Sequence, residues 1–301
     1  MFVRGVAEKE HLMTEHTGEG LSPTARESSG ILGLGKSGGQ RSAEMLAGIR
    51  AELMPKPEYV AMTRTAGRII GNFLLRLARG DHAKLNVVIA RPEGFRYLIS
   101  QILHDKPEAH FVELATGFLP RGWQLAKAFP KLQVTEIDLP EVITEKQNRF
   151  QRAKLTLPPN LKMLKADLGV TPLSEVLGTN KADIISAEGL LIYFSLDKIQ
   201  QIADGVRQAL KEGGVFIADM GTKETLQELG KGQARQAIGI FRRNAGNWIG
   251  VADDPAHAQA LFKAVGYAQV ETYKMPELAE RLPHVPKPVA NATLFVIARN
   301  G

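Results

Sequence analysis

The segment 112–122, VELATGFLPRG, followed by 134–140, VTEIDLP, limits the folds open to this chain more than any other stretch. A short apolar run over 110–115 predicts a strand, 119–129 a helix, and 132–137 a second strand ending in carboxylates. Strand, small-residue loop, helix and acid-tipped strand, in that order, open a Rossmann-like α/β unit. The loop lets a ligand approach the backbone, and the acid at the second tip accepts hydrogen bonds from both hydroxyls of a ribose. The unit therefore predicts an adenosine-containing ligand.

The loop chemistry narrows the choice. A dinucleotide site needs G-x-G-x-x-G to seat a pyrophosphate on a helix N-terminus, whereas Ala115-Thr116-Gly117-Phe118-Leu119-Pro120 holds one glycine. S-adenosylmethionine has no phosphate and asks for one close backbone approach, which Gly117 offers. A dehydrogenase site, or a strand-turn-helix that binds nothing, remains open on this motif alone.

Composition removes other classes. The 301 residues are 44% hydrophobic and 23% charged, enough to bury a large core. There is no cysteine, which excludes disulfides, thiolate catalysis and Cys-ligated zinc and fits a reducing compartment. No apolar run reaches the roughly 18 residues of a membrane span, and residues 1–11 lack a signal-peptide core, so a cytoplasmic protein without a membrane partner is expected. The formal charge of +6 is scattered among acids with no basic, aromatic-interleaved run, so no nucleic-acid partner is expected. No cluster has metal-ligand spacing.

Residues 1–40 are rich in Gly, Ser, Thr and Glu and predict a mobile or irregular arm. Over 41–108, Met45, Leu46, Ile49 and Leu53, then Ile69, Ile70, Phe73, Leu74 and Leu77, recur at helical spacing, with a further helix over about 92–103; this region predicts a helical cap over the site. From 109 to 301, apolar runs at 110–115, 132–137, 161–166, 182–187 and 214–219 predict parallel strands. Ser195 is placed to cap a helix over 196–210, and 222–250 forms a partly helical insertion covering the acceptor. Two last strands, 267–273 and 293–298, are separated by a Pro-rich loop without helical pattern and predict an antiparallel pair. Parallel strands closed by such a hairpin make the α/β sheet of the class I methyltransferases.

The residues also resemble the leucine carboxyl methyltransferase family, including its bacterial polyketide O-methyltransferase-like members. That family carries ELGAGLDTR, then EVDLP, a D-L step and EGLLMYL; this chain reads ELATGFLPR (113–121), EIDLPEV (136–142), ADL (166–168) and EGLLIYFS (188–195), in the same order and spacing. The agreement runs from about Val87 to the C-terminus. Departures lie at Ala115 and Thr116 for Gly-Ala, at Leu119 and Pro120 for Asp-Thr, and at Phe95 to Tyr97 for acids after the family's arginine.

The resemblance implies S-adenosyl-L-methionine as cofactor, and O-methylation of a small molecule or a peptide carboxylate. It places Arg91 on the cofactor's carboxylate, a role that suits a planar bidentate donor. It places Glu113, Ala115, Thr116 and Gly117 along the tail, the Thr116 hydroxyl helping to hold the amino-acid end. Asp138, with Leu139 beside it, takes the ribose diol, Glu136 being its substitute. Asp167 and Leu168 take the adenine, and Glu188 and Gly189 the cofactor's ammonium or the reacting centre. Tyr193, Arg121, Arg243 and Trp248, with Arg242, are candidates for the acceptor pocket. Glu188, Tyr193 and His284 are the candidates for catalytic work, His284 as base for a hydroxyl acceptor.

Each residue has a plainer reading. Asp138 also suits a helix N-terminus, Asp167 a turn, Tyr193 core packing, Arg121 a solvated first helical turn, and Arg242, Arg243 and Trp248 a surface helix with its anchor. Two other functions stay open: a cofactor-binding protein without methyl transfer, motivated by the departures, and a nucleotide-binding P-loop at 30–37, GILGLGKS, which matches G-x-x-x-x-G-K-[ST] but lacks a preceding strand. Oligomeric state and acceptor are not readable from the sequence.

Overall fold

The computed structural model describes residues 38–301. The expected N-terminal arm to residue 37 and the segment 30–37 lie outside the described residues. Helices α1 (Gly38–Leu53), α2 (Pro57–Ala61), α3 (Thr65–Leu77) and α4 (His82–Asp105) come first. Then follow β1 (His110–Leu114), α5 (Arg121–Ala128), β2 (Gln133–Asp138), α6 (Pro140–Arg152), β3 (Leu161–Lys165), α7 (Leu173–Leu177), β4 (Ala182–Ala187), α8 (Leu196–Ala209) and β5 (Leu210–Thr222). The insertion supplies α9 (Lys223–Leu229), α10 (Arg235–Ala245) and the short β6 (Val251–Ala252). The chain closes with α11 (Pro255–Ala264), β7 (Gln269–Lys274), α12 (Met275–Ala279) and β8 (Leu294–Arg299).

The strand order is β3-β2-β1-β4-β5-β8-β7, with β6 paired to the end of β5. Strands β1 to β5 are parallel, and β8 runs antiparallel to both β5 and β7. Order reverses between β2-β1 and β4, the place where open α/β sheets bind ligands at their carboxyl ends. Central strands are apolar because both faces are covered: Phe111, Ile184 and Ile217 lie in one core with α4, α5 and α6, and Val112, Ile185 and Phe216 in another with α8 and α11. Burying each such side chain contributes about 2–3 kcal/mol.

Local chemistry sets the boundaries. The Ser195 hydroxyl caps α8 at the Lys198 N–H, as its position predicts, and Asp254 caps α11 at the His257 N–H. Helix α4 is longer than the sequence suggests: it starts at His82 and runs through Pro92. Proline inside a helix forfeits one hydrogen bond, but Ala90, Phe95, Ile99 and Leu103 are all buried against the sheet and outweigh it. Thus α4 is part of a layer on the sheet, not only of a cap.

Helix α1 crosses α3 through glycines. A Cβ on Gly48 would stand 1.9 Å from the Gly67 carbonyl oxygen, and one on Gly71 2.6 Å from the Gly48 carbonyl carbon. Met45 and Ile49 of α1, Leu74 of α3 and Ala234 and Ala237 by α10 share one apolar cluster, joining the N-terminal helices to the insertion. No helix among the described residues is long and apolar enough to cross a membrane.

Candidate functional site

The carboxyl ends of β1, β2, β4 and β5 converge beside the loop 115–117. Ala115 and Gly117 both have left-handed backbone, at φ +50° and +51°. For Ala115 that conformation costs about 1–2 kcal/mol. The turn aims the Gly117 N–H at Asp138, whose Oδ2 accepts it at 2.7 Å while Oδ1 accepts the Leu139 N–H at 2.8 Å. Burial pushes the Asp138 carboxyl above its ordinary range, against the pull of those two donors and of Lys146. Above the loop lies α1: a methyl added at Gly117 would meet the Ala43 methyl at 3.3 Å.

Glu188, just past β4, is the hub. Arg50 of α1 donates to its Oε1 at 2.5 Å, Arg121 of α5 donates to Oε2 at 2.7 Å, and Arg91 of α4 stands at 3.9 Å. Burial alone would raise its pKa, yet Arg50, Arg121 and Arg91 together lower it to about 2. The Arg91 guanidinium pairs through Nη2 with Asp219 and lies over Gly189 (φ +70°), where a Cβ would come within 3.0 Å of it. Asp219 also accepts the Gly189 N–H at 2.8 Å and the Thr293 hydroxyl at 3.0 Å.

Several expected roles change. Arg121 is neither solvated nor turned to an acceptor: it is 1% exposed and its two Nη groups are taken by Glu113 and Glu188. Glu113 is likewise buried on β1, where burial pushes its carboxyl upward against the pull of Arg121, so it is a strut beneath the loop. The Thr116 hydroxyl does not face the loop's ligand side, because it accepts from the buried Lys146 of α6 at 2.5 Å. Glu136 is no substitute for Asp138, being fully buried and paired with the same lysine at 2.8 Å. Asp167 stands past β3 with Oδ1 on the Gly169 N–H at 2.8 Å, the turn geometry, beside the half-buried Leu168.

Tyr193 is half-buried, its hydroxyl hydrogen-bonded to Ser42 of α1 and facing the Trp248 indole. Arg242 stacks on Trp248 with its guanidinium carbon 5.0 Å from the ring, while Arg243 is exposed on α10. His284 is placed elsewhere: its Nε2 meets Glu93 at 3.0 Å, beside Arg96, and its partner is a helix residue of α4 and not a strand-tip acid. A cavity of about 210 Å³ lies there, between α4 and α5, lined by Lys56, Glu93, Arg96 and Gln124 among others, and includes no strand-tip residue. Among the described residues, no three His, Asp or Glu side chains converge as a metal would need.

Sequence reading missed Arg50, Lys146 and Asp219. Asp219 ends the apolar run 214–219 in the sequence as Asp138 ends its own, so the same signal would have found it, although β5 itself continues to Thr222. Nothing local marks Arg50 or Lys146, whose partners lie far along the chain.

The donors and acceptors fit S-adenosylmethionine. Asp138 retains partial exposure at the tip of β2, and Arg91, the residue expected on a carboxylate, keeps a buried Nε–H with no hydrogen-bond partner. The sheet order, with β8 reversed, is that of the class I methyltransferases. A candidate methyltransferase of Thermobifida fusca superposes with a TM-score of 0.57 at 16% identity, over 86% of this chain and 94% of its own. A Bordetella parapertussis protein described as a possible exported protein gives 0.51 at 17%, over 88% and 97%. A candidate O-methyltransferase of Nostoc punctiforme gives 0.50 at 13%, over 72% of this chain and 60% of its own, so the chain spans about 60% of that protein's length. At these identities the likeness is one of fold, and no curated protein sequence matches the chain.

Residues 75–207, from the end of α3 into α8, match the family model described as leucine carboxyl methyltransferase, a segment of under half of the chain. The fold is that of the class I methyltransferases, and the matched segment holds the EIDLP (136–140) and EGLLIYFS (188–195) motifs.

Proposed function

We propose that the protein, acting in the cytoplasm, transfers a methyl group to an oxygen, with a carboxylate of a small molecule or peptide as the favoured acceptor. The observation that carries the choice of acceptor is that both oxygens of Glu188 are already engaged, Oε1 by Arg50 at 2.5 Å and Oε2 by Arg121 at 2.7 Å, with Arg91 at 3.9 Å, an arrangement that lowers its pKa to about 2. Such a carboxylate is too weak a base for a phenol or alcohol, and His284 is engaged with Glu93. A carboxylate acceptor is already ionised at pH 7 and needs no base.

When bound, the cofactor supplies an electrophilic methyl on a good leaving group, so positioning provides most of the acceleration. Asp138 receives the ribose diol through the lone pairs its two backbone donors leave. Arg91 holds the tail carboxylate, Glu188 the ammonium, and Asp167 and Leu168 the adenine. Helix α1, through Ala43 and Ser42, and the insertion, through Trp248, exclude water above them. Tyr193, facing both, lines the acceptor's approach with Arg243 at the rim.

A second reading, cofactor binding without transfer, is favoured by one observation: Leu119, where the family has an acid, is only 4% exposed and packs with Met54 and Tyr59. Calorimetric titration with S-adenosylmethionine and S-adenosylhomocysteine, beside ATP and NAD, tests the site; labelled methyl transfer to matched carboxylic-acid and phenol panels tests the acceptor. Binding of the first two alone with carboxylate methylation is expected. Phenol methylation alone would overturn the acceptor, binding without transfer to either panel would leave the second reading, and absence of binding would overturn the site. Asp138→Ala should weaken cofactor binding by about 1–3 kcal/mol.

A further inference from the structure

Beneath the loop lies an ion pair for which the roles above have no use. Lys146 and Glu136 are both fully buried, with Nζ 2.8 Å from Oε2. Replacing a buried pair with apolar residues is often neutral or stabilising, so stability alone is a poor account of it. The lysine does a second thing: its ammonium donates to the Thr116 hydroxyl at 2.5 Å. Thr116 sits between Ala115 and Gly117, the two left-handed residues.

We propose that Lys146 is a positioning residue for the cofactor loop: its buried ammonium, held by Glu136, tethers the Thr116 hydroxyl and so fixes the turn that aims the Gly117 N–H at Asp138. The proposal rests on the assignment of this loop and Asp138 to the cofactor. An alanine at φ +50° relaxes toward negative φ unless its neighbours hold it. Turning Ala115 rotates the following peptides and carries the Gly117 N–H off the carboxylate. Lys146 is well placed to prevent this, because α6 starts at Pro140, with only Leu139 between it and Asp138, and the lysine ammonium meets both Glu136 of β2 and Thr116 of the loop. Its charge also favours ionised Asp138, which has Glu136 as its acidic neighbour and the Gly117 and Leu139 N–H groups as donors.

Gly122 completes the arrangement. It lies in the first turn of α5 directly over Glu136, and a Cβ there would come within 2.2 Å of Oε1. Loop, β2, α5 and α6 each contribute one residue, Thr116, Glu136, Gly122 and Lys146, to a single tether.

The test uses the full chain without ligand and then with S-adenosylhomocysteine. Thr116→Val removes the hydroxyl and keeps the ion pair; Thr116→Ser keeps the hydroxyl; Lys146→Met with Glu136→Gln removes the tether without leaving an unpaired charge. Amide hydrogen exchange at Gly117 should accelerate about tenfold or more in Thr116→Val and in the double variant, and return in Thr116→Ser. Affinity for S-adenosylhomocysteine should fall about tenfold in the same two and recover in the same one. Unchanged Gly117 exchange in Thr116→Val overturns the tether, whether or not the double variant folds. Loss of exchange protection with wild-type affinity would overturn the link to the cofactor. If the wild-type protein binds no S-adenosylhomocysteine, the cofactor assignment falls, and exchange at Gly117 still decides the tether.

Discussion

Arg50, in α1, donates a 2.5 Å hydrogen bond to Glu188, 138 residues further along and past the tip of β4. A helix of the N-terminal region thus supplies the counter-charge of a carboxylate in the sheet's ligand crevice. If Glu188 receives the cofactor's ammonium, two cations compete for one group. Arg50→Ala should lower stability by about 1.5–3 kcal/mol through loss of a charged hydrogen bond, yet raise cofactor affinity. Scanning calorimetry with and without S-adenosylhomocysteine reads both; reduced affinity would mean that Arg50 stays on Glu188 in the complex.

Arg91 meets Asp219 and has a spare buried donor. Arg91→Ala should weaken cofactor binding by about 1.5–3 kcal/mol, and Arg91→Lys should restore only part, because an ammonium cannot present a planar fork. Full recovery with lysine in a binding titration would reduce the role to that of a point charge.

Acid should separate Glu188 from ordinary surface carboxylates. Its folded pKa of about 2 lies below the roughly 4.3 of the unfolded chain, so its contribution is complete above about pH 5 and is lost as pH falls toward 2. The shift corresponds to roughly 3 kcal/mol. Urea unfolding between pH 6 and 3 should show a steeper loss for the wild type than for Glu188→Gln; parallel curves would show that the arginines do not hold the carboxyl down.

Gly48→Ala tests the helix crossing. Alanine favours helix by up to about 1 kcal/mol, but the new methyl would stand 1.9 Å from backbone, and overpacking costs about 1–3 kcal/mol or more. A net loss of stability is expected, with faster exchange across α1. A stabilised variant would mean that the crossing has room to spread.

The strands were the most legible part of this fold. Runs such as FVELA and ADIISA are apolar on both faces because β1 and β4 sit centrally, and Asp138 and Ser195 announce themselves by ending one pattern and starting another. Helix α4 was half hidden, since Pro92 reads locally as a start and only packing carries the helix through it. In the Pro-rich loop the five-residue α12 escaped notice, being too short to show a period. The candidate site was readable where chemistry is local, in Gly117, Asp138 and Glu188, which lie past or at the carboxyl ends of β1, β2 and β4. It was not where a charge finds its partner across the fold: Arg121 looks like a surface residue until Glu113 and Glu188 close on it, and Lys146 like any helical lysine until Glu136 does.

The pairs Arg50–Glu188 and Arg91–Asp219 stand side by side where the amino-acid tail of the cofactor is assigned. A zwitterion offers one charge of each sign, the complement of one half of each pair. On that assignment its arrival would be a partner exchange: carboxylate for arginine, ammonium for glutamate, with Arg50 and Asp219 released to rearrange. The tail would add no net charge to the interior, and the swap that seats the ligand would loosen the tie between α1 and the sheet.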